Sequence, residues 1–418
     1  ADGLAVAIYV GPDPAAKAGR ARTTSVALVD DRRTVEIGAD GVLHLAEVAQ
    51  GIELASLIVE ALDDAPLDLR GCAREGGRDA VTGDREVRLL TGEGVEVRGR
   101  LRGSSDGRWV VEDGDGAVHF VTGEIEHLWI ADAGGLEVRC QVAAAPGRHR
   151  VRIAYATTDL AWTAAYRVDV VAGAGVDDAA HAALQPTYTI AGSGLLGARR
   201  AEVTLLTGLP GGDVAPRAAW TGEVELGADA VSVLAPVHEV DVALDYVYRG
   251  AVTHPEDNAR NGYWRATSAS DVWLAIGVDL DTAQRLADLP AGHALVTVTR
   301  DGVSRQGQAD WPAPSLDRPR GFDVWLWPDG DLVGWRERKS LYDDGRRLIE
   351  QYLFSVSNGS TRPIKVWVEE ELRTGAASRE IRKQWPRKAR RRGDVLRYPV
   401  EVAPGKIERL GFEAEYVW

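Results

Sequence analysis

One stretch of this 418-residue chain departs sharply from its surroundings in charge. Between Arg379 and Arg392 stand Arg382, Lys383, Arg387, Lys388, Arg390, Arg391 and Arg392, with Trp385 and Pro386 in the middle. A guanidinium fork binds a phosphate or carboxylate through paired hydrogen bonds, and an indole is at home in a lipid headgroup layer. Anion or surface binding is the chemistry such a segment offers, and it is the leading functional signal here. The plainer alternative is a solvated loop, or one docked on the protein's own acidic surface. A second signal is tryptophan, with thirteen residues beside four phenylalanines. Trp325 and Trp327 are two apart and are expected on one face of one strand, with Trp335 just beyond a turn. A planar aromatic shelf of this kind stacks on sugar rings. Its competing use, favoured of the two, is core packing, where each aromatic buries roughly 150–250 Å².

Other motifs lack the context their chemistry needs. A G-x-G-x-x-G pattern spans Gly192 and Gly197, but dinucleotide binding requires a helix after it, and 201–206 reads as a strand. A G-x-S-x-G pattern at Gly103-Ser104-Ser105-Asp106-Gly107 lies between two short strands, where a nucleophile elbow needs a strand and then a helix. Of the eight histidines, none forms a close pair with metal-ligand spacing. His119 and His127, on neighbouring strands, are the pair to inspect for zinc. The turns Asp113-Gly114-Asp115-Gly116 and Asp329-Gly330-Asp331 are too short for a calcium loop and fit hairpins. In the run Glu369-Glu370-Glu371, Glu369 and Glu371 share a sheet face, expected to be the wet one. No cofactor is called for.

The elements that must position these residues read as strands almost throughout. Strands are expected at 4–9, 24–29, 34–37 and 42–45, then a short turn and a strand at 57–59. Five short strands at 87–90, 95–101, 109–112, 117–121 and 127–130 resemble a small SH3- or Sm-like barrel. Longer strands resume at 136–143, 149–156, 165–171, 188–191, 203–207 and 237–248. A single short helix is expected at 281–289. Strands then follow at 293–299, 322–327, 332–341, 348–358, 364–372, 394–402 and 406–418. Strands joined by turns argue for antiparallel sandwiches. The expected fold is therefore all-β: two antiparallel β-sandwich domains with an inserted SH3/Sm-like β-barrel. The first sandwich takes 1–83 and 133–235, the barrel 84–132 and the second sandwich 236–418.

Composition narrows the function classes. With 49 basic and 63 acidic residues the net charge is −14, which repels phosphate backbones and disfavours nucleic acid as a partner. The arginine, alanine, glycine and valine bias is that of a GC-rich bacterial genome. No stretch approaches the roughly 20 apolar residues of a membrane-spanning helix. The start, Ala1-Asp2-Gly3, is what signal-peptide cleavage leaves behind, so a periplasmic or secreted protein is expected. Cys72 and Cys140 are free to pair in an oxidising compartment, although spacing alone does not bring them together.

A family resemblance adds to this reading. It is carried by Thr158-Asp159-Leu160-Ala161-Trp162-Thr163-Ala164-Ala165-Tyr166 and continues through 188–208, Leu289-Pro290-Ala291-Gly292 and Gly321-Phe322-Asp323-Val324. It includes Asn358-Gly359-Ser360-Thr361-Arg362-Pro363 and closes at 400–416, with Pro404-Gly405; Arg32-Arg33-Thr34-Val35 and 41–48 fit at the other end. These stretches resemble domain of unknown function family 4139, whose longer relatives are called mucoidy inhibitor proteins. The resemblance implies an exported bacterial β protein and carries over no catalytic residues. The coiled-coil region of the longer relatives has no counterpart here.

The function expected from all this is non-catalytic: an envelope or secreted binding or scaffold protein. Its partners would be an envelope polysaccharide, lipid headgroups or another envelope protein. The alternative is a hydrolase or metal-assisted enzyme whose site is assembled from distant loops.

Overall fold

The computed structural model describes residues 3–12, 23–49, 51–63, 66–75, 85–91, 96–105, 108–122, 125–130, 136–173, 180–192, 196, 199–211, 215–227, 230–250, 267–312, 321–373, 375–392 and 394–418. Among them are twenty-eight β-strands, one short α-helix and one 3-10 turn. The protein is all-β.

The chain opens with β1 (Gly3–Pro12), β2 (Thr23–Ile37), β3 (Val42–Val48), the 3-10 turn Leu54–Ser56, β4 (Ile58–Ala61) and β5 (Asp68–Glu75). The five following strands are β6 (Arg85–Thr91), β7 (Glu96–Ser105), β8 (Arg108–Glu112), β9 (Val118–Thr122) and β10 (Ile125–Ile130). Next come β11 (Leu136–Ala143), β12 (Gly147–Thr157), β13 (Ala161–Val171), β14 (Ala180–Ala191) and β15 (Arg200–Thr207). They are followed by β16 (Arg217–Glu225), β17 (Ala230–Leu234), β18 (His238–Arg249), β19 (Thr267–Val278), α1 (Leu280–Arg285), β20 (Gly292–Arg300) and β21 (Val303–Trp311). The end of the chain is β22 (Phe322–Asp343), β23 (Arg347–Asn358), β24 (Ile364–Glu371), β25 (Ser378–Trp385), β26 (Arg390–Arg392), β27 (Val395–Val402) and β28 (Ile407–Val417).

The strands form three sheets. One runs β16-β15-β1-β2-β3-β11-β5, with β12 paired to β2 and β4 to β12. A five-stranded sheet runs β10-β6-β7-β8-β9, and a third runs β21-β20-β13-β14-β18-β19-β22-β23-β28-β25 with β17, β24, β26 and β27 attached. By contacts the chain divides into Ala1–Thr163 with Tyr188–Val233, and Ala164–Thr187 with Leu234–Trp418.

In the first unit, alternation drives the strands. Along β12, Val151, Ile153 and Tyr155 are buried while Arg150 and Arg152 face outward. The Trp162 indole donates to the Ile8 carbonyl at 3.0 Å, and the backbone N–H of Gly51 donates to the Asp159 carboxylate. Gly192 has φ +80, and a Cβ there would lie 2.1 Å from the Asp159 carbonyl oxygen, so close approach of two backbones demands this glycine. The next strand after it among the described residues is β15. Cys72 on β5 and Cys140 on β11 are direct antiparallel partners and form a disulfide. The five short strands lie between them in sequence and share a core of Val87, Leu89, Leu101, Val111 and Val121.

In the second unit, helix α1 is capped by Asp279, whose carboxylate accepts from the Thr282 N–H at 2.8 Å. That hydrogen bond holds the Asp279 carboxyl below its ordinary value. Asn358 ties its turn together by donating to the Arg362 and Val402 carbonyls and accepting from the Ser360 N–H. The sequence reads 322–341 as two strands around an acidic turn. Instead β22 is one continuous strand against β19, and Asp329-Gly330-Asp331 sits in a bulge between the pairs Val272↔Asp329 and Asp271↔Val333. An Asp-Gly-Asp run suits either conformation, and the unbroken partner strand selects the bulge.

Candidate functional site

Strand β24 sends alternate side chains to opposite faces. Val366, Val368 and Glu370 go inward; Lys365, Trp367 and Glu369 go to the other face. Register then decides their neighbours. On the β18 side Val247 stands beside Trp367 and Arg249 beside Glu369. On the β27 side Pro399 stands beside Trp367 and Arg397 beside Glu369, and Arg390 of β26 pairs with Arg397. One strand beyond β18, Ala275 of β19 lies opposite Asp245, and Trp325 of β22 lies opposite Ala275. Four strands thus bring Val247, Ala275, Trp367 and Trp325 into one apolar cluster, and cations lie over its two indoles.

Three cations approach the Trp367 ring: Arg397 at 4.5 Å, Lys365 at 5.4 Å and Arg390 at 5.5 Å from its centroid. Arg249 lies 5.0 Å over Trp325. The indole faces carry negative potential and hold these charges in place. Two carboxylates of the face are held by its arginines. Arg397 is 3.1 Å from Asp245 and 2.9 Å from Glu369, and Arg249 is 3.8 Å from Glu369. Burial raises the Asp245 carboxyl above its ordinary value, against the pull of Arg397. The expectation that Glu369 shares a wet face with Glu371 is met only for Glu371, which is exposed. Glu369 is buried under the arginines, and Glu370 points inward to Arg336. Trp273, opposite Val247 on the same face, is 37% exposed and is the open indole of the group.

The arginine-rich segment is divided between two strands. Arg382 on β25 pairs with Glu415 at 3.2 Å and Glu413 at 3.8 Å, so its charge is neutralised from within. Trp385 is half-buried against Gly411, where a Cβ would lie 2.3 Å from the indole. Part of its ring therefore packs against β28. Lys383 is exposed on β25. A cis Trp385-Pro386 bond and an exposed turn carrying Arg387 and Lys388 lead to β26, where the Ala389 N–H is anchored by the Gln384 side chain at 2.6 Å. Arg387, Lys388 and Arg390 are exposed and form no ion pair among the described residues. Arg391 is exposed beside Arg390, and the Arg392 side chain lies outside the described residues.

Trp325 and Trp327 do not share a face. The register shift in β22 places Trp325 opposite Ala275 but Trp327 opposite the inward-facing Leu274. Leu326 and Trp327 are consequently both buried, and Arg305 covers Trp327 at 4.7 Å. A glycan shelf made of that pair is ruled out; only Trp325 reaches the candidate face. Among the described residues no group of three or more histidines, cysteines or carboxylates is arranged to hold a metal. His119 hydrogen-bonds to Asp113 at 2.7 Å, and the His127 side chain lies outside the described residues. The Asp113 carboxylate accepts from the N–H groups of Asp115 and Ala117, as a hairpin turn requires.

Sequence reading missed Trp367, Trp273, Arg249 and Arg397. The alternation Lys365-x-Trp367-x-Glu369 was a usable sign of a mixed cation and indole face. Its meeting with Arg249 and Trp325 depends on strand order and has no local signature. No protein-family model matches the chain, and no curated protein matches it either.

Proposed function

We propose that this is an exported, non-catalytic bacterial envelope protein that binds an acidic polysaccharide at the basic lip of this face. The observation that carries the reading is Arg390, whose guanidinium is stacked on Trp367 while no carboxylate of the described residues neutralises it. A cation fixed by an indole keeps its charge for an outside anion and loses little side-chain freedom on binding. Arg387 and Lys388 extend the lip, and Trp273 supplies a ring for a sugar face. Binding is favoured over turnover because two buried or half-buried carboxylates of the face, Asp245 and Glu369, are engaged by Arg397. Export is supported by the Cys72–Cys140 disulfide, since such bonds persist in oxidising compartments. No helix among the described residues is long and apolar enough to cross a membrane. Kinship with the mucoidy inhibitor-like proteins belongs to the same proposal. It is supported by the structural work of Asp159, Trp162 and Asn358 in the stretches that carry the resemblance.

The test is retention on immobilised polygalacturonate in low salt, with a neutral glucan as control. The wild type is retained, and retention falls as salt screens the lip. Replacing Arg387, Lys388 and Arg390 together by serine lowers affinity about tenfold or more, as expected for losing three unscreened contacts. Unchanged retention of the triple variant overturns the proposal. Retention on anionic vesicles but not on the polyuronate assigns the lip to headgroups instead.

A further inference from the structure

We propose that two copies of the chain associate through β9, edge to edge and antiparallel, about a two-fold axis at Phe120. This goes beyond the ligand reading and does not depend on it. Strand β9 ends the order β10-β6-β7-β8-β9, so among the described residues one row of its backbone donors and acceptors has no strand partner. Its outward side chains are apolar and bare: Phe120 is 75% exposed and Val118 49%. Phe120 continues an apolar row across the sheet through its partner Val110, which in turn faces Gly103. A phenylalanine displayed on an open edge costs solubility unless something covers it.

The other edges show how this chain prevents pairing elsewhere. Edge strand β16 carries Glu223, β5 Arg70, β4 Glu60, β10 Glu126, β21 Asp310, β25 Arg382 and β26 Arg391. Among the edge strands of the described residues, β9 and the short β17, two residues before Pro236, are the ones without Asp, Glu, Lys or Arg. A partner strand must therefore be extended, apolar and uncharged, and β9 itself meets that description. Centred on Phe120, the antiparallel self-register sets Phe120 against Phe120, His119 against Val121 and Val118 against Thr122. No like charges meet in it, and the two aromatics form a favourable cross-strand pair. A two-fold contact closes on itself and leaves no free edge for growth.

Sedimentation equilibrium of the whole protein tests this. A concentration-dependent dimer is expected for the wild type. Phe120→Lys, at an exposed position, weakens it about tenfold or more by setting two like charges opposite each other across the axis. Leu234→Lys on β17 leaves it unchanged. Phe120→Cys, oxidised, gives an intermolecular disulfide, because the axis brings the two positions face to face. Each copy carries −14, so added salt strengthens the dimer by screening repulsion, whereas it weakens polyuronate retention. Failure of one reading is thereby separable from failure of the other. A wild type that stays monomeric at every concentration, or a dimer untouched by Phe120→Lys, overturns the proposal.

Discussion

Arg390 and Arg397 meet the same indole from adjacent strands, yet their charges have different fates. Arg397 is spent on Asp245 and Glu369, while Arg390 is held by the ring alone among the described residues. Deeper in the same unit, charges are fully enclosed. Glu350 accepts two hydrogen bonds from Arg373, both at 2.8 Å, and one from the Tyr352 hydroxyl at 3.0 Å. Arg336 grips Glu370 and lies 3.9 Å over the Tyr352 ring. Burial pushes the Glu370 carboxyl up to about 7 against the pull of Arg336. Removing one member of such a group strands the others in a medium that solvates them poorly. Glu350→Gln is expected to cost about 3–5 kcal/mol, seen as a lower urea midpoint. The exposed Arg390→Ser is expected to change the unfolding free energy by less than about 0.5 kcal/mol, leaving that midpoint nearly where it was. At this scale the segment around Arg390 was legible as a cluster of cations. Which of them keeps its charge was not, because Glu413, Glu415 and Trp367 are brought in by other strands.

Elements decide more than residues do, as two strand pairs show. Strand β14 pairs with β18, and His181 lies between Asp241 at 3.3 Å and Glu239 at 2.7 Å. Hydrogen bonds to Asp241 and then Glu239 raise the imidazole above its ordinary 6.5. The protonated ring is the form these carboxylates hold. Its contribution to stability is therefore complete below about pH 6.5 and is lost as pH rises through the raised value. An NMR titration of His181 should give a midpoint above 6.5, and Asp241→Asn with Glu239→Gln should return it to the ordinary range. Most strands were readable from alternation and turn residues, and α1 from its place before a proline-glycine turn. The bulge in β22 was not readable, because one extra residue between Trp325 and Trp327 is fixed by β19, some fifty positions earlier in the chain. That single insertion turns Trp327 from the candidate face into the interior.

On the scale of the whole molecule, each compact unit is assembled from two separate stretches of chain. Linear reading favours continuous blocks, and only the strand pairings reveal that 164–187 belong with the C-terminal residues. The acidic surplus acts at this scale too, opposing self-association while the lip remains locally basic. One placement has a practical outcome. Glu75 of β5 and Glu137 of β11 are direct partners, with the disulfide three pairs further along the same ladder. The whole small sheet therefore hangs from what would otherwise be the tip of an ordinary hairpin. Exchanging 76–136 for Asn-Gly, a pair suited to tight reversal, should yield a shorter polypeptide that still unfolds cooperatively, remains oxidised and is retained on polygalacturonate. The same short protein should sediment as a monomer, making the excursion a detachable coupler that could be grafted onto the hairpin of an unrelated host.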